Sequence, residues 1–258
     1  MRDAIARAGG SAAETGTKAT ETGTTAGARA GARAGARAGA KAALYDAFAA
    51  SGKALASGKR LELLDLLAQG ERTVDALAKA AGLNLTTASA HLQTLKQAGF
   101  VATRREGVRI HYRLAGDDVA RLFALLRTVA DRHQAAVPAA RTAYLGDDAA
   151  TAVTHDELLD RLAAGDGDVV VLDVRPPEEY LAGHIPGAVC IPVAELADRI
   201  GELPEETEVV VYCRGAYCAL AHEAVRLLSD HGRRAVRLSD GMLEWRLADL
   251  PVHAGESA

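Results

Sequence analysis

The feature that most constrains this 258-residue chain is a change of hydrophobic rhythm near residue 150. Before it, apolar residues recur at three- and four-residue spacing, as in amphipathic helices. After it, continuous apolar runs over 169–174 and 209–212 alternate with helical stretches over 156–164 and 219–231. A run such as Val209-Val-Val-Tyr212 suits a central parallel strand covered on both faces, and Arg234–Leu238 reads as a third strand. Strand and helix in alternation imply an α/β layer with its site at the strand C-termini. Two rhythms imply two domains, mainly-α over 41–136 and α/β over 151–256. A linker over 137–150 carries Pro138, Gly146, Asp147 and Asp148.

Charge divides the chain in the same way. Residues 1–40, 41–146 and 147–258 carry +3, +6 and −13. A basic front and an acidic back assign a polyanionic partner to the front. Gly-Ala-Arg-Ala recurs from Gly27 to Gly39, placing Arg29, Arg33 and Arg37 four apart. Each glycine there costs about 1 kcal/mol of helix stability against alanine. Residues 1–40 therefore read as a disordered basic tail in preference to a phosphate-binding arm. No apolar run approaches the roughly 20 residues of a membrane span, and the first residues lack the apolar core of a secretory signal. The expected setting is the cytoplasm, with no membrane partner. Cys190, Cys213 and Cys218 are too few for a disulfide framework and point to thiol chemistry.

From residue 42 onward, helical spacing leads to two short helices. Thr73 caps the first, which holds Val74, Leu77 and Ala78. After Gly82-Leu83-Asn84 the second runs to about Ala98, with Leu85, Ala88, Leu92 and Leu95 as its apolar face. Two strand-like runs separated by Glu106-Gly107 follow, then a helix opened by Asp117 and Asp118. This is a helix-turn-helix with a two-stranded wing, the arrangement that lays one helix in a DNA major groove. The second helix offers Thr86, Thr87, Ser89, His91, Gln93 and Lys96. The wing offers Arg104, Arg105, Arg109, His111 and Arg113. These donors suit phosphates and base edges, so DNA is favoured over a solvated or protein-binding face.

The stretch from Leu77 to Val101, and the wing Gly107-Val-Arg-Ile-His-Tyr-Arg-Leu114, resemble the ArsR family of small dimeric repressors. The resemblance covers about 42–135. It implies a homodimer formed through the first and last helices and bound to palindromic double-stranded operator DNA. Metal-sensing members use cysteines before the recognition helix, or Asp/His sets on the last helix. Here Arg72–Ala78 has no cysteine, and Asp131 and His133 are two ligands short of a site. No metal and no organic cofactor are expected.

The strand Val209–Tyr212 runs into Cys213-Arg-Gly-Ala-Tyr-Cys218, and a helix follows. A thiol in such a loop meets successive backbone N–H groups and a helix N-terminus, so a lowered Cys213 pKa is expected. Arg214 suits an anionic sulfur donor. The chain from Asp173 to Tyr180, then Gly183-His-Ile-Pro-Gly-Ala188, and Asp240-Gly-Met-Leu-Glu-Trp245, resemble the rhodanese family over roughly 151–255. The resemblance implies that Cys213 carries sulfur as a persulfide, with Arg214, Gly215, Ala216, Tyr217 and Cys218 as the anion-binding loop. It leaves Asp173 and Arg175 as a structural pair beneath the loop, and His184 and Trp245 as scaffold. Related arsenate reductases and phosphatases place arginine six positions after the cysteine, where this chain has Ala219. The second basic residue common in rhodaneses is here Cys218. That departure weakens the case for thiosulfate turnover. It leaves Cys218 either as a spacer or as a thiol that attacks the Cys213 persulfide, closing a disulfide or polysulfide bridge. Cys190 reads as a buried strand residue.

The expected protein is a DNA-binding regulator, a repressor by resemblance, that responds to thiosulfate or polysulfide through Cys213. Two other readings stay open. One is a sulfurtransferase of the thiosulfate type whose winged helix serves for dimerisation. The other is a regulator with a chemically silent second domain.

Overall fold

The computed structural model describes residues 20–146, 152–165 and 169–255. Of these described residues, those up to Lys53 form one unit and those from Ala54 another.

The first unit is a helix. α1 spans Thr20–Leu55, so residues 20–40, expected to be disordered, are helical; residues 1–19 lie outside the described residues. Alanine and arginine are strong helix formers, and between them they outweigh the repeated glycines. Arg29, Arg33 and Arg37 are exposed, as are Leu44, Tyr45 and Phe48, the last two in edge-on contact at 6.0 Å.

The second unit begins with the winged helix. α2 (Gly58–Gln69), β1 (Arg72–Thr73), α3 (Val74–Ala80) and α4 (Leu85–Gln97) are followed by β2 (Val101–Glu106), β3 (Arg109–Leu114) and α5 (Asp117–His133). Thr73 Oγ1 accepts from Ala76 N–H and Asn84 Oδ1 from Thr87 N–H, capping the two helices of the helix-turn-helix. The hairpin turn is Gly107-Val108, one residue later than expected. Glu106 pairs with Arg109 as the last strand pair. Gly107 has φ +60° at the position where a type II′ turn takes glycine. β1 adds a third strand, through Arg72 opposite Tyr112 and Thr73 opposite His111. Leu85, expected on the apolar face of α4, is half exposed. Ala88, Leu92 and Leu95 are buried.

The segment expected as a linker contains α6 (Ala136–Leu145), and residues 147–150 lie outside the described residues. Pro138 falls in the first turn of α6, where its missing N–H is tolerated. Leu145 is buried, and its carbonyl accepts from Arg226. The α/β region follows: β4 (Ala152–Val153), α7 (His155–Ala164), β5 (Val169–Asp173), α8 (Pro177–Ala182), β6 (Val189–Cys190), α9 (Leu196–Arg199), β7 (Glu208–Tyr212), α10 (Ala219–Asp230), β8 (Ala235–Leu238) and α11 (Met242–Leu247). The sheet is parallel in the order β4-β8-β7-β5-β6. The three expected strands are its centre, and β4 and β6, two residues each, are its edges. Val209, Val210, Val211 and Tyr212 are fully buried, with Val209 and Val211 in one apolar cluster and Val210 and Tyr212 in another, as a two-sided parallel strand requires.

The winged helix and the α/β region share a core. Leu243 of α11 is 2% exposed and packs with Leu63, Leu67 and Phe123 of the winged helix. No helix among the described residues is long and apolar enough to cross a membrane.

Candidate functional site

The parallel sheet delivers its central strand β7 to Cys213, and the chain then turns through Arg214–Cys218 into α10. The turn is closed by Cys218 N–H donating to Gly215 O at 3.0 Å. Its floor is the start of α11. Met242 N–H donates to Cys213 O at 2.9 Å and Leu243 N–H to Arg214 O at 3.0 Å. Gly241 permits this approach, because a Cβ there would collide with the backbone of Gly215 and lie 2.6 Å from Cys213 O.

Cys213 is 2% exposed. Its thiol donates to the carbonyls of Cys218, at 3.5 Å, and Gly215, at 3.8 Å. Burial pushes its pKa well above the ordinary thiol range, and the hydrogen bond to the Cys218 thiol adds to the effect. The expected lowering at Cys213 is thus reversed, because burial disfavours the thiolate by more than the N–H groups of Ala221 and Gly215 favour it. The lowering falls on Cys218. Cys218 is half-buried, and the neighbouring Cys213 thiol, the backbone N–H groups of Arg214 and Leu220 and the Arg214 charge together lower its pKa against the opposing effect of burial. Cys190, half-buried on β6, has its pKa pushed up to about 11, mainly by burial.

Asp173 and Arg175 are fully buried and paired, with contacts of 2.9 and 2.5 Å. Tyr212 donates to the same carboxylate at 2.7 Å and receives Ile185 N–H at 3.1 Å, tying the strand beneath the cysteine to the sheet. Tyr180 stacks on His184 at 3.7 Å, and Trp245 donates to Pro251 O, so His184 and Trp245 are scaffold.

Arg214 does not point into the loop. Its guanidinium grips Glu179, a fully buried carboxylate of α8, at 2.6 and 3.0 Å. The same carboxylate takes Arg72 of β1 at 2.6 Å. Gln69, also fully buried, donates to Arg214 O at 3.2 Å and accepts from Arg175 at 3.1 Å. Arg127 of α5 bonds Glu244 at 2.5 Å and Asp65 at 3.3 Å, and stacks over Tyr217 at 5.3 Å. Arg246 donates to Ala68 O at 2.8 Å. The cysteine loop is therefore bonded to α2 by Gln69, reaches β1 through the shared Glu179, and meets α5 where Arg127 stacks over Tyr217. Sequence reasoning missed Gln69, Arg72, Arg127, Glu179, Gly241 and Glu244 as functional residues. Glu179, Gly241 and Glu244 lie inside the quoted signatures, but Gln69 and Arg127 carry no local signal.

On the DNA-facing side, α4 exposes Thr86, Gln93 and Lys96, with Thr87, Ser89 and His91 half-buried. The wing exposes Arg105, Arg109 and Arg113. Arg104 is held by Glu71 at 2.6 Å and Glu106 at 2.9 Å, and His111 lies within 3.7 Å of both carboxylates. Asp131 pairs with Arg141 at 3.4 Å.

A winged helix-turn-helix and a parallel-sheet cysteine loop, fused in one body, define a DNA-binding regulator with a rhodanese-like domain. Residues 57–103 match the arsR family of bacterial regulatory proteins, and residues 154–248 match the rhodanese-like domain. The chain is 60% identical over 213 residues to the HTH-type transcriptional regulator Rv0324 of Mycobacterium tuberculosis, spanning 83% of this chain and 93% of that protein. It belongs to the ArsR family of transcriptional regulators, in the form that carries a C-terminal rhodanese-like domain. Over 105 residues it is 34% identical to a sulfurtransferase of Allochromatium vinosum, spanning 40% of this chain and 95% of that protein. Among solved structures, the homodimeric winged helix-turn-helix DNA-binding domain of a possible ArsR-family regulator from Mycobacterium bovis is 66% identical. It covers 36% of this chain and 87% of that one, with a TM-score of 0.35.

Proposed function

We propose that the protein is a homodimeric repressor whose operator affinity is set by sulfur carried as a persulfide on Cys213, loaded from polysulfide or thiosulfate. The observation that carries this reading is the bonding of the cysteine loop to the winged helix. Arg214 shares the buried Glu179 with Arg72, and its carbonyl is held by Gln69.

The chemistry of loading supplies the trigger. As a thiol, Cys213 donates to two carbonyls. A persulfide anion cannot donate, so the contacts of the Cys213 sulfur with the carbonyls of Gly215 and Cys218 are lost on loading and the loop readjusts around the added sulfur. A loop that turns pulls on Arg214, and Arg214 is tied to Gln69 and, through Glu179, to Arg72. Arg72 sits opposite Tyr112 at the root of the wing, so the wing is where loading alters DNA contact. Thr86, Gln93 and Lys96 serve as the helix contacts to DNA, with Thr87, Ser89 and His91 beside them. Arg105, Arg109 and Arg113, which bond no carboxylate among the described residues, serve as the wing contacts, while Arg104 is held by Glu71 and Glu106 with His111 beside the same carboxylates. The homodimer covers Leu122, Leu125 and Val129 of α5, which are 43, 60 and 47% exposed.

The test is a fluorescence-anisotropy titration of promoter DNA with the full chain, before and after polysulfide. Loading is expected to weaken binding of the wild type at least tenfold, about 1.4 kcal/mol, while Cys213→Ser binds equally in both conditions. An equal response in Cys213→Ser would refute the reading. The likeness to the Allochromatium sulfurtransferase supports the second reading, a turnover enzyme. Thiosulfate turnover without binding to any promoter DNA would establish it.

A further inference from the structure

We infer that Cys218 is the second reactive thiol of this loop: it displaces hydrosulfide from a persulfide on Cys213 and closes a disulfide across residues 213–218. The inference rests on the persulfide reading above and adds the step that ends it.

Geometry folds the two cysteines onto one turn. Cys213 Sγ lies 3.5 Å from the Cys218 carbonyl, and Cys218 N–H donates to Gly215 O at 3.0 Å, closing the loop between them. Cys213 is enclosed, while Cys218 is partly exposed at the entrance to α10. Cys218 stands at the N-cap of α10, and the chain between the two cysteines carries Arg214, so positive charge lies on the side of Cys218. The position is the one at which the sequence departs from the usual basic residue. A cation there would stabilise a standing persulfide; a thiolate there attacks it.

The step balances. The Cys213 thiol first takes the terminal sulfur of a hydropolysulfide, which brings its own proton, giving Cys213–S–SH; the S–S bond to that sulfur breaks, and the thiol proton leaves on the hydropolysulfide, now one sulfur shorter. The Cys218 thiolate then attacks the inner sulfur, Cys213 Sγ. The bond between Sγ and the outer sulfur breaks, and its electron pair leaves with the outer sulfur as HS⁻. Two thiols are oxidised to one disulfide, and one sulfane sulfur is reduced to sulfide. Cys190 is excluded because it sits on β6, outside the loop.

Trypsin supplies the readout, since Arg214 lies between the two cysteines and cleavage there separates them. The full chain is treated anaerobically with inorganic tetrasulfide, blocked with iodoacetamide and digested without reductant. In the wild type, the Cys213 and Cys218 peptides are expected to appear joined by a disulfide, and to be separate in the untreated control. In Cys218→Ser, the Cys213 peptide is expected to be one sulfur atom heavier and capped by alkylation. A wild type whose Cys213 peptide is persulfidated but unjoined, as in Cys218→Ser, overturns the inference and leaves the persulfide reading standing. A chain in which no Cys213 peptide gains sulfur, in the wild type joined or unjoined and in Cys218→Ser, overturns both.

Discussion

At the scale of single residues, the two loop thiols differ in the direction of their pKa shifts. Burial drives Cys213 up, and its hydrogen bond drives Cys218 down. A lowered pKa means that Cys218 is thiolate at a pH where an ordinary cysteine, with its pKa of about 8.5, is still protonated. Iodoacetamide is therefore expected to label Cys218 first in the native chain, with a pH midpoint below that of a free thiol. Cys213→Ala removes the donor and should raise that midpoint. Labelling of Cys213 before Cys218 at neutral pH would contradict this. The wing arginines divide similarly. Arg105→Ala and Arg109→Ala should each lower the slope of log K against log salt by about one, as lost phosphate contacts do. Arg104→Ala should change it less, because Glu71 and Glu106 already hold that charge. Gly241→Ala is expected to cost about 1–3 kcal/mol by overpacking against the loop backbone, read as a shift in urea midpoint.

At the scale of elements, α8 and α11 join the halves. α8 contributes Glu179, shared by Arg72 and Arg214; α11 contributes Leu243 to the winged-helix core and Glu244 to Arg127. Glu179→Ala leaves Arg72, whose side chain is 7% exposed, without that partner. Breaking a buried pair of this kind costs about 3–5 kcal/mol, so a large loss of denaturant stability is expected in the full chain. Glu179→Gln keeps the shape and should cost less while blunting the sulfur response. The central elements were legible in sequence because each has its own period and caps: Thr73 and Asn84 at the helix-turn-helix, Val209–Tyr212 at the sheet centre. The edges were not. β1, β4 and β6 have two residues each, too few to show a period, and exist because a neighbouring strand offers a free edge. α1 over residues 20–40 was misread because glycine spacing was weighed above the alanine and arginine between.

At the scale of the whole molecule, a junction expected to be a linker is instead the contact of one compact body with a shared core. Cys213 and its loop were legible because their signatures are local. The bonds that link them to DNA binding were not, since Gln69 and Arg214 lie 145 residues apart and nothing in an amphipathic helix says that its last glutamine is buried. The candidate site is therefore a loop with two thiols, tied through Glu179 to Arg72 at the root of the wing. The most direct test of that claim is hydrogen exchange in the full chain before and after polysulfide. Faster exchange is expected at residues 69–73 and through the wing, 101–114, in the wild type and not in Cys213→Ser. Change confined to residues 213–218 would contradict it.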